Sequence, residues 1–540
     1  MKFRTLFCSA AICALALTAA RSQTKPIPPI PHLQKQGTAT QLIVDGKPFL
    51  ILGGELHNSS SSNLEYMRPI WPKLAATYLN TVLTPVSWEL IEPEEGEFDF
   101  TLVDGLIQDA RRHNLRLIFL WFGSWKNGVS TYVPLWVKTN LERFPRAQDQ
   151  TGKGLEILTT FSDANRDADA RAFAALMRHI REVDGEAHTV IMMQPENEVG
   201  VLGDSRDRSA AANEAFAKPV PKELMDYLQK HKDTLIPEFR KVWEATGCKT
   251  SGTWEEVFGP GVVADEIFMA WNYARYIGRV VEAGKTEYPL PMFVNAWLAQ
   301  PNDKMPGDFP SGGPLPHVLD VWRAGGPQID ILSPDIYATN FTDWCAWYHR
   351  SGNPLFIPET RGGAQGAANA FYAFGQHDAI GYSPFGIDGF ADPGGEIAKS
   401  YELLSQVAPL VLENQGKGAT AGVVLDKDRN TKKLRSGNYT LDIGIARHGS
   451  LPTPDYAAAI FIALGPDEYL AAGKGVTVSF FSNLPGPHTV GLATVDEGAF
   501  VDGRWIPGRR LNGDEILSGK GLRLPGDRYS IQRVKLYRYR

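Results

Sequence analysis

Ile191-Met-Met-Gln-Pro-Glu-Asn-Glu-Val-Gly200 is the stretch on which the reading of this chain turns. Val190, Ile191 and Met192 lead into a polar cluster that ends at Asn197 and Glu198, the pattern of a buried strand delivering an acid at its C-terminal end. Pro354-Leu-Phe-Ile-Pro-Glu359 repeats the design, an apolar run that stops at a carboxylate and turns through Gly362 and Gly363. Two such strands can aim both acids at one point, and paired carboxylates are what cleavage of a glycosidic bond requires.

Outward from these strands the pattern alternates strand and helix. Gln41-Leu-Ile-Val44 and Lys47-Pro-Phe-Leu-Ile-Leu52 flank Asp45-Gly46, a hairpin signal. Further strands are expected around 49–52, 80–84 and 115–121, then the one at Ile191, then 292–296, 329–333, 355–359 and 379–383. Helices are expected over 63–79, at a face formed by Val103, Leu106, Ile107 and Ala110, and at Phe173, Leu176, Met177 and Ile180. Eight strands alternating with helices predict an α/β fold, the (β/α)8 TIM barrel, with its active site at the C-terminal strand ends. On that count Glu198 ends strand four and Glu359 ends strand seven. The long polar stretch 199–266 reads as an insertion with helical pieces that walls the site.

Past residue 410 the texture changes to short alternating runs at 422–425, 439–443, 457–464, 476–481 and 531–539, separated by Gly, Pro, Asn and Asp. This predicts a smaller C-terminal antiparallel β-sandwich domain that packs on the barrel or binds carbohydrate. The first twenty residues, with Lys2 and Arg4 before an apolar run, fit a secretory signal rather than a membrane span. The expected organisation is therefore a signal over 1–22, a Pro-rich linker over 23–40, a catalytic barrel over 41–410 and the β-domain over 411–540, in a chain that is exported, periplasmic or secreted.

A net charge of −6 with both signs mixed gives no nucleic acid or anionic membrane as partner. Oligomeric state is not legible. Cys248 and Cys345 are the cysteines left after signal removal, able to pair or to stay free. Asn58, Asn340 and Asn438 open Asn-x-Ser/Thr triplets. There is no His-Glu-x-x-His, Cys-x-x-Cys, P-loop or Gly-x-Ser-x-Gly, and the 11 histidines are scattered, so neither a cofactor nor a catalytic metal is expected.

Around the two glutamates, the Asn197 amide can meet a sugar hydroxyl beside the reacting carbon, and the Tyr337 hydroxyl can hold Glu359 in place or simply pack. Glu55 and His57 end strand one, where they contact sugar or serve as salt-bridged or capping groups. Trp121, Trp125, Trp297, Trp344 and Trp347 fall near strand ends as faces for sugar C–H groups or as core.

Over residues 41–388 the chain resembles glycoside hydrolase family 35, the β-galactosidases of the retaining (β/α)8 clan. The resemblance rests on Gly53-Gly-Glu-Leu-His57, Asn80-Thr-Val, Glu92-Pro-Glu-Glu-Gly-Glu-Phe-Asp-Phe100, Gln194-Pro-Glu-Asn-Glu-Val-Gly200 and Ile357-Pro-Glu359. It implies Glu198 as acid/base, Glu359 as nucleophile, Asn197 as a contact to the sugar 2-hydroxyl and Tyr337 as partner of Glu359. One departure stands out: where members commonly carry Cys-Ala-Glu-Trp after strand three, this chain has Gly123-Ser-Trp-Lys-Asn127, which makes Trp125, Lys126 and Asn127 the candidate sugar contacts there. The sequence looks closer to a divergent bacterial branch that trims galactose from xyloglucan side chains. The expectation is a retaining exo-acting β-galactosidase on plant cell-wall oligosaccharides. The alternatives are a β-glycosidase or endo-glycanase of the same clan, or a glycan-binding barrel without turnover.

Overall fold

The structure, a computed structural model, describes residues 28–446 and 453–540. The signal expected over 1–22, with Cys8 and Cys13, and the start of the Pro-rich segment lie outside the described residues.

The described chain opens with a three-stranded antiparallel sheet, His32–Gln36, Ala39–Val44 and Lys47–Phe49. The Asp45-Gly46 hairpin forms as expected, with φ of 52° and 75° at its two central residues, the type I′ requirement. His32–Gln36 corrects the linker reading of 23–40: it is a strand, paired with Ala39–Val44 across a turn at Gly37-Thr38. Leu42 and Val44 join Ile51, Ile118, Phe293, Ile331, Phe356 and Ile380 in one apolar cluster, so the hairpin plugs the N-terminal end of the barrel.

The barrel has the eight expected strands: Ile51–Glu55, Thr81–Ser87, Arg116–Lys126, Val190–Asn197, Phe293–Trp297, Ile331–Ile336, Phe356–Thr360 and Gly381–Pro384. Neighbours are parallel throughout. Strands four and five close the ring through a parallel bridge between Met193 and Met292, with the Met193 N–H donating to the Pro291 carbonyl at 3.1 Å. Outside the ring, helix Thr101–Arg112 buries the face Val103, Leu106, Ile107 and Ala110, and the long helices Asp163–Asp184 and Val262–Glu287 pack on strands three and four. The helix expected over 63–79 is two short ones, Leu64–Met67 and Trp71–Ala76. Pro69 and Pro72 explain the split, since neither has an N–H to continue the ladder. Helices Ala210–Phe216, Lys222–Lys230, Pro237–Ala245 and Trp254–Phe258 make up the insertion after strand four. Among the described residues no helix is long and apolar enough to cross a membrane.

Helix Glu396–Asn414 runs through the boundary expected at 410 and leads into two antiparallel sheets, one of six strands and one of four. Strand Tyr456–Gly465 shows how they are held. Ala457, Ala459 and Phe461 face the core between the sheets, while Ala458, Ile460 and Ile462 join the cluster around the barrel helices. This strand of the six-stranded sheet is thus buried on both faces, and with Thr420–Asp426 it fastens the sandwich to helix Gly363–His377. Five strands of this domain escaped the sequence reading: Thr431–Ser436, Glu468–Lys474, Thr489–Val501, Arg504–Leu511 and the two-residue Leu522–Arg523.

Candidate active site

Strand four delivers Glu198 at its C-terminal end with φ at +43°, a left-handed conformation uncommon for a residue with a side chain. The turn is held by the neighbouring strand five, because the Glu198 N–H donates to Asn295 Oδ1 at 2.9 Å. Asn295 Nδ2 in turn donates to Asp335 Oδ2 at 2.6 Å. At strand seven the Tyr337 hydroxyl donates to Glu359 Oε1 at 2.6 Å, the partnership read from the sequence. One carboxylate oxygen from each of Glu198, Asp335 and Glu359 lies within 4.8 Å of the others. That proximity lets two carboxyl groups act on one glycosidic bond and accords with the roughly 5–5.5 Å between carboxyl groups of retaining glycosidases.

Glu55, at the end of strand one, is a fourth acid in the cluster. It is fully buried, and neither of its oxygens has a hydrogen-bond partner within the described protein. Lys126 is the cation among them, with Nζ 3.9 Å from Glu198 Oε2 and 5.3 Å from the centre of the Phe122 ring. Four buried carboxyl groups around one ammonium cannot all be ionised, so protons are retained. Burial, then the charge of Glu359, pushes Glu198 up to about 7, with Lys126 pulling the other way. Glu359 is also raised by burial, but Lys126 and the Tyr337 hydroxyl favour its ionised form. Burial and the neighbouring Glu359 raise Glu55 and Asp335 well above the ordinary carboxylate range.

Of the other residues singled out in the sequence, Asn197 is 1% exposed and both polar atoms of its amide lack protein partners beside Glu198. Asn127 donates its backbone N–H to the Asn197 carbonyl at 3.1 Å, and its own Oδ1 is buried and unpartnered. Trp297 is half-buried at the end of strand five, two residues beyond Asn295 and so on the same face of the sheet. His57 is an exposed rim residue whose Nδ1 lies 3.2 Å from Asp388.

Two of the tryptophans need correction. Trp121 is fully buried on the helix side of strand three, where Nε1 donates to Asp169 at 2.9 Å and the ring meets Trp88 and Phe173. Leu120 and Phe122 take the barrel interior, so alternation turns Trp121 outward. Trp125 is likewise sealed, with Nε1 donating to the Leu158 carbonyl at 3.1 Å and its ring against Tyr273 and Tyr276. Neither can touch a sugar. Trp344 is buried and Trp347 partly exposed on helix Phe341–Tyr348, edge to face with each other.

Asn295 and Asp335 were missed in the sequence. Their signal was a polar residue inside an otherwise apolar strand, Phe293-Val-Asn-Ala and Ile331-Leu-Ser-Pro-Asp. The structure also separates Glu196 from Glu198. Glu196 accepts the backbone N–H groups of Ser124 and Trp125 at 3.2 and 2.8 Å behind strand three, away from the cluster. Cys248 and Cys345 are both free.

Residues 41–236 match the model of Glycosyl hydrolases family 35, and residues 397–523 match a domain of unknown function (DUF5597). A β-galactosidase of Xanthomonas manihotis is 29% identical over 214 residues, covering 38% of this chain and 32% of that protein. Beta-galactosidase-1-like protein 3 of Homo sapiens is 47% identical over 58 residues, 11% of this chain and 9% of that one. Among solved structures, the β-galactosidase of Bacillus circulans sp. alkalophilus aligns with a TM-score of 0.45 at 15% identity over 67% of this chain and 57% of that one. The chain thus spans less than two thirds of the length of each of these relatives. Residues 41–236, the stretch that the family 35 model matches, carry Glu55, Lys126, Asn197 and Glu198.

Proposed function

We propose that this chain is a retaining β-galactosidase, exported, that releases terminal β-linked galactose from plant cell-wall oligosaccharides such as xyloglucan side chains. The observation that carries the reading is the cluster in which Glu198 and Glu359 present oxygens within 4.8 Å of each other, with Tyr337 on Glu359. Ionised Glu359 attacks the anomeric carbon and forms a covalent glycosyl ester, while Glu198, still protonated because its pKa is pushed up to about 7, gives its proton to the departing oxygen. Esterification removes the charge of Glu359, so the repulsion that held the proton on Glu198 is gone. Glu198 is then free to take a proton from water, which attacks the ester and releases the sugar with retained configuration. The unpartnered Asn197 amide is available to the 2-hydroxyl.

Support for galactose comes from the family match and from the names of the relatives. In place of a glutamate after strand three, Lys126 and Glu55 are the groups offered to the sugar hydroxyls. Hydrolysis of aryl β-glycosides tests the proposal: wild type should cleave the galactoside in preference to the glucoside, mannoside, xyloside and arabinoside, and Glu359→Ala should lower kcat by a factor on the order of 10⁴ or more. Cleavage of none of them by wild type would overturn it.

A further inference from the structure

At one end of the C-terminal sandwich the core between the two sheets gives way to a polar layer. Val495, Leu511 and Val534 belong to that core. Glu497, Arg509 and Gln532, each two residues from one of these on the same strand, continue the row on the same face of the sheet. Val495 pairs with Val534 and Glu497 with Gln532 in unbroken register. The facing sheet contributes Arg523 from the short strand Leu522–Arg523. With Leu511 and Pro525 these side chains line a cavity of about 500 Å³, the size of a small-molecule site.

The charges of this cavity are paired but for one. Glu497 accepts from Arg509 Nε at 3.1 Å and Nη2 at 2.8 Å, and from Arg528 at 3.1 Å. Glu515 accepts from Arg509 Nη1 at 3.1 Å, and Asp527 lies 3.7 Å from Arg528. Arg523 forms no ion pair among the described residues, and its Nε is buried without a partner. Beside it, Gln532 is 1% exposed and donates from Nε2 to the Arg523 carbonyl at 2.8 Å. That bond fixes which way the amide points and leaves Gln532 Oε1 without a donor among the described residues. A cationic donor and a neutral acceptor are thus left over on two side chains that the fold sets together.

A single uncommitted guanidinium among paired acids suits one negative charge, a carboxylate, rather than the two of a phosphate. Gln532 Oε1 can only accept, so its partner is a hydroxyl and not a carboxylate oxygen. Leu511 and Pro525 give the carbon skeleton an apolar wall. We infer that this end of the sandwich binds a small hydroxylated carboxylic acid, its carboxylate on Arg523 and a hydroxyl donating to Gln532. A uronic acid carries both groups. The inference gives a ligand to the domain of unknown function, which includes Glu497, Arg509 and Arg523, and does not rest on the chemistry proposed for the barrel.

Titration calorimetry of the full chain with D-glucuronate, D-glucose and propanoate tests it, since the second probe lacks the carboxylate and the third lacks the hydroxyls. Glucuronate should bind more tightly than either. Arg523→Gln should weaken glucuronate binding roughly 10–100-fold, the worth of a hydrogen-bonded charge, while leaving glucose unaffected. Gln532→Glu, which sets a second carboxylate against the ligand, should weaken it as well. The two residues stand on different sheets, so a fold defect in one variant leaves the other to decide. Glucose or propanoate binding as tightly as glucuronate overturns the inference, as does the absence of glucuronate binding to wild type at millimolar concentration. Glucuronate affinity unchanged in both variants places the ligand elsewhere on the protein and overturns it too.

Discussion

Lys126 is the residue on which the electrostatics of the site depend, because it lowers the proton affinity of Glu55, Glu198 and Glu359 together. Activity needs Glu198 protonated and Glu359 ionised, so kcat/KM rises as pH climbs through the titration of Glu359 and falls as it passes that of Glu198, near pH 7. Replacing the cation with Lys126→Met raises both pKa values, and both limbs of the profile should move to higher pH. A pH–rate profile that stays in place would show that Lys126 does not face the acids in solution. Glu55 gives a second prediction from the same cluster. Its pKa in the fold is above that of the unfolded chain, so stability is full below the unfolded value and is lost as pH rises towards the folded one. Glu55→Gln removes that loss. It should raise stability by about 1 kcal/mol at pH 8 with little change at pH 4, as read by thermal melts, while impairing catalysis, the trade expected of a strained functional site. Equal melts at both pH values would contradict it.

The residues that carry the chemistry differ in how far the sequence announced them. Glu198 and Glu359 stood at the ends of apolar runs, where alternation and strand length point to them directly. Asp335 and Asn295 were hidden because a polar residue within a strand has many uses, and only the ring of strands brings Asn295 between the Glu198 backbone and Asp335. Trp121 was misread for a different reason. Proximity to a strand end says nothing of which face a side chain takes, and that face follows from the burial of Leu120 and Phe122 inside the barrel.

At the scale of elements, the barrel was legible because each of its strands is a short apolar run bounded by polar turns, and all eight appear in the ring. The strand His32–Gln36 was not, for its burial pattern is largely exposed and it is held by pairing with Ala39–Val44 rather than by a core. Strands Thr431–Ser436 and Arg504–Leu511 are hidden by the same polarity. The docking of the sandwich turns on a contact no periodicity announces. Gly375 of helix Gly363–His377 and Gly422 of strand Thr420–Asp426 meet backbone to backbone, and a Cβ at Gly422 would lie 2.7 Å from the Gln376 nitrogen and 2.8 Å from the Phe371 carbonyl oxygen. Gly422→Val should therefore cost about 2 kcal/mol by forcing the two elements apart. Urea denaturation reads it, and a midpoint equal to that of wild type would mean that the interface yields freely.

In the whole molecule the parts serve one site. The hairpin plugs the far end of the barrel, the insertion after strand four packs through Trp254–Phe258 on helix Val262–Glu287, and the sandwich covers helix Gly363–His377, which follows the strand that carries Glu359. The central claim is that Glu359 forms a bond to the sugar while Glu198 manages the proton. Incubation with a 2-deoxy-2-fluoro-β-galactosyl fluoride, which slows release of the intermediate, followed by mass spectrometry of the digested protein, tests it most directly. The account predicts a fluorogalactosyl group on the peptide containing Glu359, attached to that side chain. A label on Glu198, Asp335 or Glu55 would contradict it, as would turnover of galactosides with inversion and no label at all.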